Sequence, residues 1–298
     1  MNKNPSVAVI VVNWRKYDIS EKCIKSILDC DYPNFKILLV DNESDKNKID
    51  KFKYIDKIDL IENKINEGFS KANNAGITYA IKNNFDYVIL INNDTIVEKN
   101  LISVLLKTAH TKKFLVVQPL IFKINGKDIW NAGGKINYFF GNFTTKKKLK
   151  FFKNNNNETT EWFTGCCCLF DVKIFDRVGK FDESFFAYYE DVDYSLRLKK
   201  HGYKIGFTSS THLYHYESIS SISNNSKGGR LNPYVHYLNI RNHIFILKKH
   251  YKMFNFFGSR FYQFFKILFY TIYFILRLRF TKLRMVYKGL NDSFKMKI

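Results

Sequence analysis

Cysteine is scarce in this sequence, and its spacing is irregular. The 298 residues contain five cysteines, an odd number, and no Cys-x-x-Cys pair occurs. That pattern argues against a zinc or redox motif built on closely paired cysteines. Three of the five are consecutive, at positions 166 to 168. We expect this triplet to fill a strand as small apolar residues, with a reactive thiol as the alternative.

Long apolar segments are also missing. The first residues lead directly into a strand-like run without the apolar region of a signal peptide, so we expect a cytoplasmic location. Near the other end, the ten residues Ile267–Leu276 carry no charge, whereas a membrane-spanning helix needs about 20. Aromatic residues and cations are interleaved around this run, which predicts a helix lying in the membrane interface. The alternative is a helical hairpin packed on the catalytic domain.

Acidic residues are few in comparison with basic ones. Lys and Arg number 48 and Asp and Glu 27, which gives a formal net charge of +21. From Arg241 onward there are thirteen basic residues and one acid, Asp292, so +12 of that charge belongs to the last part of the chain. Such a balance indicates nucleic acid, an anionic membrane surface or a phosphorylated substrate as a partner. No RNA- or DNA-binding motif is present, which disfavours the first of these.

Strand-like and helix-like segments alternate through the first part of the chain. A composition that is 46% hydrophobic and 17% aromatic indicates a globular protein. Largely apolar segments, which predict strands, occur at residues 7–12, 36–40, 58–61, 87–91 and 114–117. The uninterrupted runs at 7–12 and 87–91 predict buried strands. Helices are predicted between them, and we expect Asp18 and Ser70 to cap two of these. The alternation predicts parallel βαβ units of an α/β nucleotide-binding half.

Polar side chains follow several of the predicted strands. Asn92, Asn93 and Asp94 end the strand at residues 87–91, and Asp41 ends an earlier one. Open α/β sheets bind ligands at the carboxyl ends of their strands. A carboxylate near an amide oxygen suits Mg²⁺ or Mn²⁺ on a substrate diphosphate, and a plain polar turn is the alternative. Lys71, near the start of a helix, would reinforce phosphate binding, although the P-loop pattern is absent.

A second chemical centre lies around Asp191. Glu190, Asp191 and Asp193 follow an aromatic run at the start of a predicted helix. Burial against aromatic rings raises the pKa of a carboxylate, which suits it to act as a general base. The alternative is an acidic helix start that complements the helix dipole.

A series of short motifs runs in order through about residues 6 to 245. The first half contains Val9–Trp14, Tyr32–Asn34, Asp41–Ser44, Asn66–Phe69, Asn73–Gly76 and Leu90–Thr95. The second contains Thr164–Gly165, Gly179–Glu183, Tyr189–Asp193 and His215. Each motif is weak alone, but the ordered set resembles the family 2 glycosyltransferases with the GT-A fold, particularly their bacterial rhamnosyltransferase-like branch.

This resemblance implies inverting, metal-dependent transfer of a sugar from a nucleotide-diphosphate donor, dTDP-rhamnose or a UDP-sugar, to a saccharide or lipid-linked acceptor. The pathway would be bacterial surface polysaccharide synthesis, such as O-antigen or capsule. Asp191 would deprotonate the acceptor, and Asp94 with His215 would hold Mg²⁺ or Mn²⁺. The expected donor-binding residues are Asn13, Asp41, Asn66, Gly68, Lys71, Asn73, Asn92, Asn93 and Asp94. The expected acceptor-side residues are Trp162, Glu190 and Asp193. Asn92 replaces the first Asp of the family's D-x-D motif.

The predicted architecture is α/β, with a mainly parallel central sheet flanked by helices and a C-terminal helical extension. We expect a catalytic domain at residues 1–232, with a nucleotide-binding half at about 1–118 and an acceptor-binding half at 119–232. Residues 233–298 would form a membrane-interface region at the inner face of the bacterial cell membrane. Two alternative functions are a basic nucleic-acid-binding protein and a nucleotidyltransferase. The latter would normally have a glycine-rich loop where this chain has residues 13–16 without glycine.

Overall fold

The computed structural model describes residues 4–43, 45–148, 159–216 and 231–298. Contacts divide the chain into two units. The first unit consists of Met1–Lys135, Thr145–Glu183 and Glu190–Glu217. The second consists of Ile136–Thr144, Ser184–Tyr189 and Ser218–Ile298. The predicted domain boundary between residues 232 and 233 stays a prediction.

The strands follow the apolar runs of the sequence. They are β1 (Val7–Asn13), β2 (Phe35–Asn42), β3 (Ile58–Asn63), β4 (Tyr87–Asn92), β5 (Thr95–Val97), β6 (Val116–Lys123), β7 (Ile129–Asn131), β8 (Gly134–Asn137), β9 (Asn142–Thr145), β10 (Thr159–Thr160), β11 (Cys167–Asp171) and β12 (Ile205–His215). β8 and β9 pair with each other, and the remaining strands form one sheet.

The large sheet has the order β10-β12-β6-β11-β4-β1-β2-β3, with β5 beside β12 and β7 beside β6. β1, β2, β3 and β4 pair in parallel, as do β6 and β12. β11 lies between β4 and β6 and is antiparallel to both. The predicted α/β class with a mainly parallel sheet is therefore confirmed.

Helices cover both faces of this sheet. They are α1 (Tyr17–Leu28), α2 (Lys46–Ile49), α3 (Gly68–Lys82), α4 (Leu101–Lys112), α5 (Lys173–Val178) and α6 (Glu190–Lys200). Alternate residues of β1 enter two different core clusters: Val9 packs with residues of α1 and α4, and Ile10 with residues of α3, α5 and α6. Because both faces of β1 are buried, its sequence is continuously apolar rather than alternating.

Several predicted element boundaries are wrong. α1 begins at Tyr17, so Asp18 lies inside its first turn instead of capping it. α3 begins at Gly68, and the buried hydroxyl of Ser70 has no hydrogen-bond partner among the described residues. β6 starts later than predicted and continues through Pro119 to Lys123. The cysteine triplet does fill a strand, since Cys167 and Cys168 lie in β11 and are fully buried.

Three helices form most of the described part of the second unit: α7 (Pro233–Lys249), α8 (Phe256–Leu276) and α9 (Phe280–Lys295). The side chains of Asn232 and Asn255 accept hydrogen bonds from backbone N–H groups at the starts of α7 and α8. α9 approaches α7 closely at Gly289, where a Cβ atom would lie 2.6 Å from the carbonyl oxygen of Tyr237. None of the helices in the described ranges combines the length and apolarity that a bilayer crossing requires.

Candidate active site

The predicted functional residues of the first unit meet at one edge of the sheet. Parallel pairing sets Asn13 of β1 opposite Asp41 of β2, at the carboxyl ends of both strands. β4 ends beside them at Asn92, whose N–H donates to the carbonyl oxygen of Cys166 at 2.8 Å. Because β11 is antiparallel, its amino end reaches the same edge as the carboxyl end of β4. β12 ends at His215, opposite Thr95 of β5.

Asp41 belongs to a buried hydrogen-bond network. Asn13 donates from Nδ2 to Oδ1 of Asp41 at 2.8 Å and accepts the hydroxyl hydrogen of Ser20 at 2.7 Å. Asn93 donates to the same Ser20 hydroxyl at 2.8 Å. Burial raises the pKa of Asp41 to about 6, against the opposing effect of the Asn13 hydrogen bond. The network thus holds a carboxylate in place at the end of β2.

A second polar network surrounds the start of α3. Asn42 donates to Oδ1 of Asn66 at 2.9 Å, and it accepts the N–H of Glu67 at 3.0 Å. Asn66 also accepts the N–H of Gly68 at 3.0 Å. Gly68 has a φ of +83°, a conformation that glycine adopts without the strain a Cβ atom would cause. The loop into α3 is therefore rigidly fixed by asparagine side chains.

Two of the predicted donor-binding residues of α3 have local partners. Lys71 is exposed, and its ammonium group lies 2.6 Å from the carboxylate of Glu67. Asn73 is buried and donates to the carbonyl oxygen of Phe69 at 2.8 Å, within the same helix. Lys71 remains close to the positive end of the helix dipole, whereas Asn73 contributes to the packing of the helix.

Asp94 and His215 form a buried pair. Nε2 of His215 lies 3.0 Å from Oδ1 of Asp94, and their side chains are 5% and 12% exposed, respectively. The ring of Trp130 meets the His215 ring edge-on, with centroids 4.4 Å apart. Nδ1 of His215 is buried and has no hydrogen-bond partner among the described residues. The two side chains, 121 residues apart in the sequence, thus present a carboxylate and an imidazole at one place.

This donor set suits a divalent cation whose other ligands come from a substrate. Within residues 4–43, 45–148, 159–216 and 231–298, no group of three or more His, Cys, Asp and Glu is arranged to hold a metal ion. Mg²⁺ and similar ions on nucleotides are commonly held by one or two carboxylates together with phosphate oxygens and water. The Asp94–His215 pair fits that pattern, and half-buried Asn92 lies directly before the turn that contains Asp94.

Asp191 is held at the start of α6 by backbone donors. Its Oδ2 accepts the N–H of Gly165 at 3.0 Å, and its Oδ1 accepts the N–H of Val192 at 2.8 Å. Burial raises the pKa of Asp191 to about 6, and these two N–H groups oppose that rise. Gly165 directly precedes Cys166, which bonds to Asn92. Asp191 is therefore connected through two consecutive residues to the end of β4.

The neighbouring carboxylates of α6 differ from Asp191. Glu190 is 6% exposed, its Oε2 has no partner in the described part of the chain, and burial together with the charge of Asp191 raises its pKa well above the usual value. Asp193 has no exposed surface, and its Oδ2 accepts the Nε–H of Arg197 at 2.9 Å. Asp193 is thus enclosed by Arg197 in this conformation, and its acceptor-side role stays a prediction.

Trp162, another predicted acceptor-side residue, is largely buried in the first unit. Its side chain is 9% exposed, and its indole Nε1 has no hydrogen-bond partner among the described residues. This buried N–H is an unsatisfied donor, and the acceptor-side role of Trp162 stays a prediction.

A cavity of about 410 Å³ lies beyond the ends of β1 and β2. Its lining residues are Arg15, Tyr17, Glu43, Asp45 and Lys48. Arg15 and Glu43 form an ion pair of 3.1 Å across the two loops that follow these strands. Its lining residues Glu43 and Asp45 follow Asp41 closely in the sequence, so the cavity adds polar groups beyond the carboxyl end of β2.

Comparison with known proteins decides the family. The family described as "Glycosyltransferase like family 2" matches residues 5–227 of this chain. The chain belongs to this family. The match includes both carboxylate centres and ends before α7.

The similarity of this family 2 chain to curated relatives is distant but extended. The chain is 24% identical over 201 residues to the low-salt glycan biosynthesis hexosyltransferase Agl10 of Haloferax volcanii, a match covering 67% of this chain and 64% of that protein. It is 24% identical over 238 residues to rhamnosyltransferase WbbL of Escherichia coli K12, covering 75% and 88%, respectively. The chain thus spans slightly less than two thirds of the first of these relatives.

Solved structures support the GT-A-type fold of this family 2 chain. Mannosyltransferase PcManGT from Pyrobaculum calidifontis, solved with GDP-Man and Mn²⁺, superimposes with a TM-score of 0.59 at 13% identity, covering 100% of this chain and 77% of its own. GalNAc-T7, solved with UDP, GalNAc and Mn²⁺, gives 0.63 at 14% identity, covering 83% and 48%. At these identities the likeness establishes the fold alone.

Sequence reasoning missed four contributors to this candidate site. Ser20 and Asn42 complete the two polar networks, the N–H of Gly165 holds Asp191, and Arg197 neutralises Asp193. Asn42 follows Asp41 directly, so its position at a strand end was a usable signal. Ser20, Gly165 and Arg197 act through contacts between distant segments or within a helix, which no local sequence pattern predicts.

Proposed function

We propose that the protein is an inverting glycosyltransferase that moves a sugar from a nucleotide-diphosphate donor to a hydroxyl group of a saccharide or lipid-linked acceptor. The observation that carries this proposal is the meeting of two centres at one sheet edge. One centre is the Asp94–His215 pair, and the other is Asp191 with its raised pKa. Transfer at an anomeric carbon requires stabilisation of the leaving diphosphate and a base for the acceptor, and the two centres supply these separately.

The donor nucleotide would bind at the ends of β1 and β2. Asp41, fixed by Asn13, is oriented to accept hydrogen bonds from a base or ribose. Asn66 and Gly68 shape the loop that leads into α3. The helix start and Lys71 would attract the diphosphate. The cavity lined by Arg15, Tyr17, Glu43, Asp45 and Lys48 offers further polar contacts to the nucleotide.

Asp94 and His215 would hold Mg²⁺ or Mn²⁺ together with the donor diphosphate. When bound, such an ion supplies Lewis-acid stabilisation of the negative charge that develops on the departing nucleotide. The two solved neighbours described with Mn²⁺ support this choice. Asn92, in place of an aspartate, would leave one negative charge fewer near the ion, which favours dependence on the phosphates for tight metal binding.

Asp191 would take the proton of the acceptor hydroxyl. Two backbone N–H groups hold its carboxylate in one orientation, and burial brings its pKa to about 6, close to the pH at which it would act. Glu190, with a pKa raised well above the usual value and an unpaired Oε2, is suited to donate a hydrogen bond to the acceptor. Trp162, whose buried indole N–H has no partner among the described residues, would complete the acceptor side.

For the donor, we favour dTDP-rhamnose or a UDP-sugar. The relative from E. coli is a rhamnosyltransferase, and one solved neighbour contains UDP. The acceptor would belong to bacterial surface polysaccharide synthesis, such as O-antigen or capsule.

We further propose that α8 attaches the enzyme peripherally to the inner face of the bacterial cell membrane. Its outer face carries ten exposed large apolar side chains, and Arg260 near its start is also exposed. The ten are Phe256, Phe257, Phe261, Phe264, Phe265, Leu268, Phe269, Ile272, Ile275 and Leu276. An exposed apolar surface of this size is typical of an interaction site rather than of free solvent-facing surface.

The charges around α8 match this assignment. Lys266 is the single charged residue between Arg260 and Arg277, and its ammonium group points inward, 2.8 Å from Nδ1 of His243. Arg260 and Arg277 are exposed at the two ends of the apolar face. Such a helix would lie in the membrane plane, with aromatic rings at the acyl boundary and arginines at anionic head groups.

A screen of donors tests the proposed activity. The purified chain, with Mg²⁺ or Mn²⁺, would be given a panel of dTDP-, UDP- and GDP-sugars with saccharide and lipid-linked acceptors, and nucleotide diphosphate release measured. We expect acceptor-stimulated release from one donor class, and a rate of release that is strongly reduced in Asp191→Asn. Absence of release from every donor, by protein that binds nucleotide, would contradict the proposal.

A further inference from the structure

The backbone directly before α6 is strained. Tyr188 and Tyr189 both adopt left-handed conformations, with φ of 67° and 72°. A residue with a Cβ atom rarely does so, because Cβ comes too close to the following carbonyl oxygen. Two such residues in succession, neither of them Gly nor Asn, persist only where surrounding groups hold them.

Asn242 of α7 holds this dipeptide. Its side chain is fully buried, and its Nδ2 donates to the carbonyl oxygens of Ala187 and Tyr188, each at 2.8 Å. Its Oδ1 accepts the Nε–H of Arg241 at 2.8 Å, so the orientation of the amide is fully determined. The two amide hydrogens therefore bind the carbonyl groups on either side of the Cα atom of Tyr188, the first of the two left-handed residues.

The two neighbours of Asn242 act on the same segment. Arg241 donates from Nη2 to the carbonyl oxygen of Ser184 at 3.2 Å. The His243 ring stacks on the ring of Tyr189, with centroids 5.1 Å apart and planes 23° apart. Three consecutive residues of α7 thus fix the segment Ser184–Tyr189 through its backbone and one ring.

We propose that Asn242 is a positioning residue for the reaction. Tyr189 is bonded directly to Glu190, the first residue of α6, and Asp191 follows. The dihedral angles of Tyr188 and Tyr189 set the direction in which the chain enters that helix. By holding these angles, Asn242 contributes to the placement of the Asp191 carboxylate, which the N–H groups of Gly165 and Val192 also hold. The inference rests on the proposed role of Asp191 as base, and it adds that part of the base's placement comes from α7.

Asn242→Ala tests the inference. Misplacement of a reacting group by about 1 Å costs on the order of 10²-fold in rate. We therefore expect kcat to fall between about 10- and 100-fold, while KM for the donor changes less than about twofold. Hydrogen exchange of backbone amides at residues 187–192 should accelerate, and exchange in β1 and β2 should not change.

Asn239→Ala provides the matched control. Asn239 lies on the same helix, and its amide donates to the carbonyl oxygen of Val235 within α7. Near wild-type kcat in Asn239→Ala together with the loss in Asn242→Ala supports the inference. Wild-type kcat in Asn242→Ala, while Asp191→Asn is inactive, would overturn it and leave the proposed function intact. Full activity in Asp191→Asn would instead remove the proposed role of Asp191 as base, on which this inference rests.

A rescue variant separates positioning from general destabilisation and applies even where Asn242→Ala alone does not fold. Tyr188→Gly gives the left-handed position a residue that adopts it freely. We expect the Asn242→Ala substitution to reduce kcat and melting temperature less in the Tyr188→Gly background than in the wild type. Equal losses in both backgrounds would show that Asn242 does not act through this backbone, and would overturn the inference.

Discussion

The edge of the sheet and the outer face of α8 depart from ordinary burial in opposite directions. At the edge, Asp41, Asp94 and Asp191 are wholly or partly buried, although carboxylates normally remain in water. On α8, ten large apolar side chains are exposed where a helix normally presents polar residues. Folding stability explains neither arrangement, because each one costs free energy relative to the usual pattern.

The difference lies in what compensates that cost. Each buried carboxylate at the edge has a protein partner: an amide for Asp41, an imidazole for Asp94 and backbone N–H groups for Asp191. The exposed rings of α8 contact one another but remain open to solvent. For example, the ring centroids of Phe261 and Phe265 lie 4.5 Å apart. A site for chemistry is thus completed within the protein, whereas a surface for attachment needs a partner outside it.

The largest effect is expected where the edge loses its base. Asp191→Asn should lower kcat roughly 10²–10⁴-fold, the usual contribution of a positioned general base. Donor binding should persist, because Asp41 and α3 are unchanged. The melting temperature at pH 7 should not fall, because burial already disfavours the charged carboxylate. Steady-state kinetics with thermal melts would measure both.

Asp176→Asn, at an exposed carboxylate of α5, is the control for that experiment and should behave like the wild type. Near wild-type turnover by Asp191→Asn would transfer the role of base to Glu190.

A second large effect is expected at the metal pair. Asp94→Asn removes the negative charge of the Asp94–His215 pair, so turnover should fall by about 10²-fold or more at a fixed low Mn²⁺ concentration. Raising the Mn²⁺ concentration should recover part of the loss, because the diphosphate still provides ligands. Titration of activity with Mn²⁺ measures the change. Undiminished activity of Asp94→Asn in excess chelator would refute the assignment.

The attachment face of α8 should respond to polar substitution. Phe264→Asp combined with Phe269→Asp should reduce binding to anionic vesicles by about 10²-fold, since burial of one such ring contributes about 1.5–3 kcal/mol. Sugar transfer to a water-soluble acceptor should be unaffected. Vesicle flotation measures the binding, and Phe294→Asp, at a residue of α9 that is 70% exposed, serves as control.

Flotation at low and high salt sharpens this experiment. Exposed cations such as Arg260 and Arg277 contribute about 1 kcal/mol each near an anionic surface, so binding should weaken as salt increases. Failure to float under every condition would contradict attachment, and salt-resistant flotation would indicate deeper insertion.

The smallest effect is expected on the pH dependence of turnover. With a pKa of about 6, Asp191 is ionised above that pH and protonated below it, so kcat/KM should fall as pH decreases through 6. Asp41, with a similar value, should add a rise in donor KM over the same range. The remaining turnover of Asp191→Asn should not show a fall in kcat as pH decreases through 6. A wild-type kcat/KM that stays constant from pH 8 to 5 would exclude both carboxylates from these roles.

Much of the fold could be predicted from local sequence. Runs such as Val7–Val12 are continuously apolar because both sheet faces are covered, and that requirement is visible in one segment at a time. The ends of helices were less predictable, since α1 and α3 begin without the side-chain caps that Asp18 and Ser70 offered. The position of β11 between β4 and β6 depends on pairing between distant strands, which no local pattern encodes.

In the candidate site too, local patterns predicted some residues, whereas contacts between distant segments could not be predicted. Asp94 and Asp191 were recognisable because a carboxylate follows an apolar or aromatic run, and the structure connects both to the end of β4. The pairing of Asp94 with His215 crosses 121 residues and came from family resemblance rather than from spacing. The enclosure of Asp193 by Arg197 and the left-handed angles of Tyr188 and Tyr189 depend on tertiary packing, so sequence patterns did not reveal them.

The anomeric configuration of the product tests the central claim most directly. A single displacement, with Asp191 activating the acceptor opposite the departing nucleotide diphosphate, inverts the anomeric carbon. Early time-point NMR of the transferred sugar, once the donor screen has identified the substrate, would assign that configuration relative to the donor. We predict inversion. Retention would require a second displacement or a different nucleophile and would contradict the assignment of Asp191 as the base.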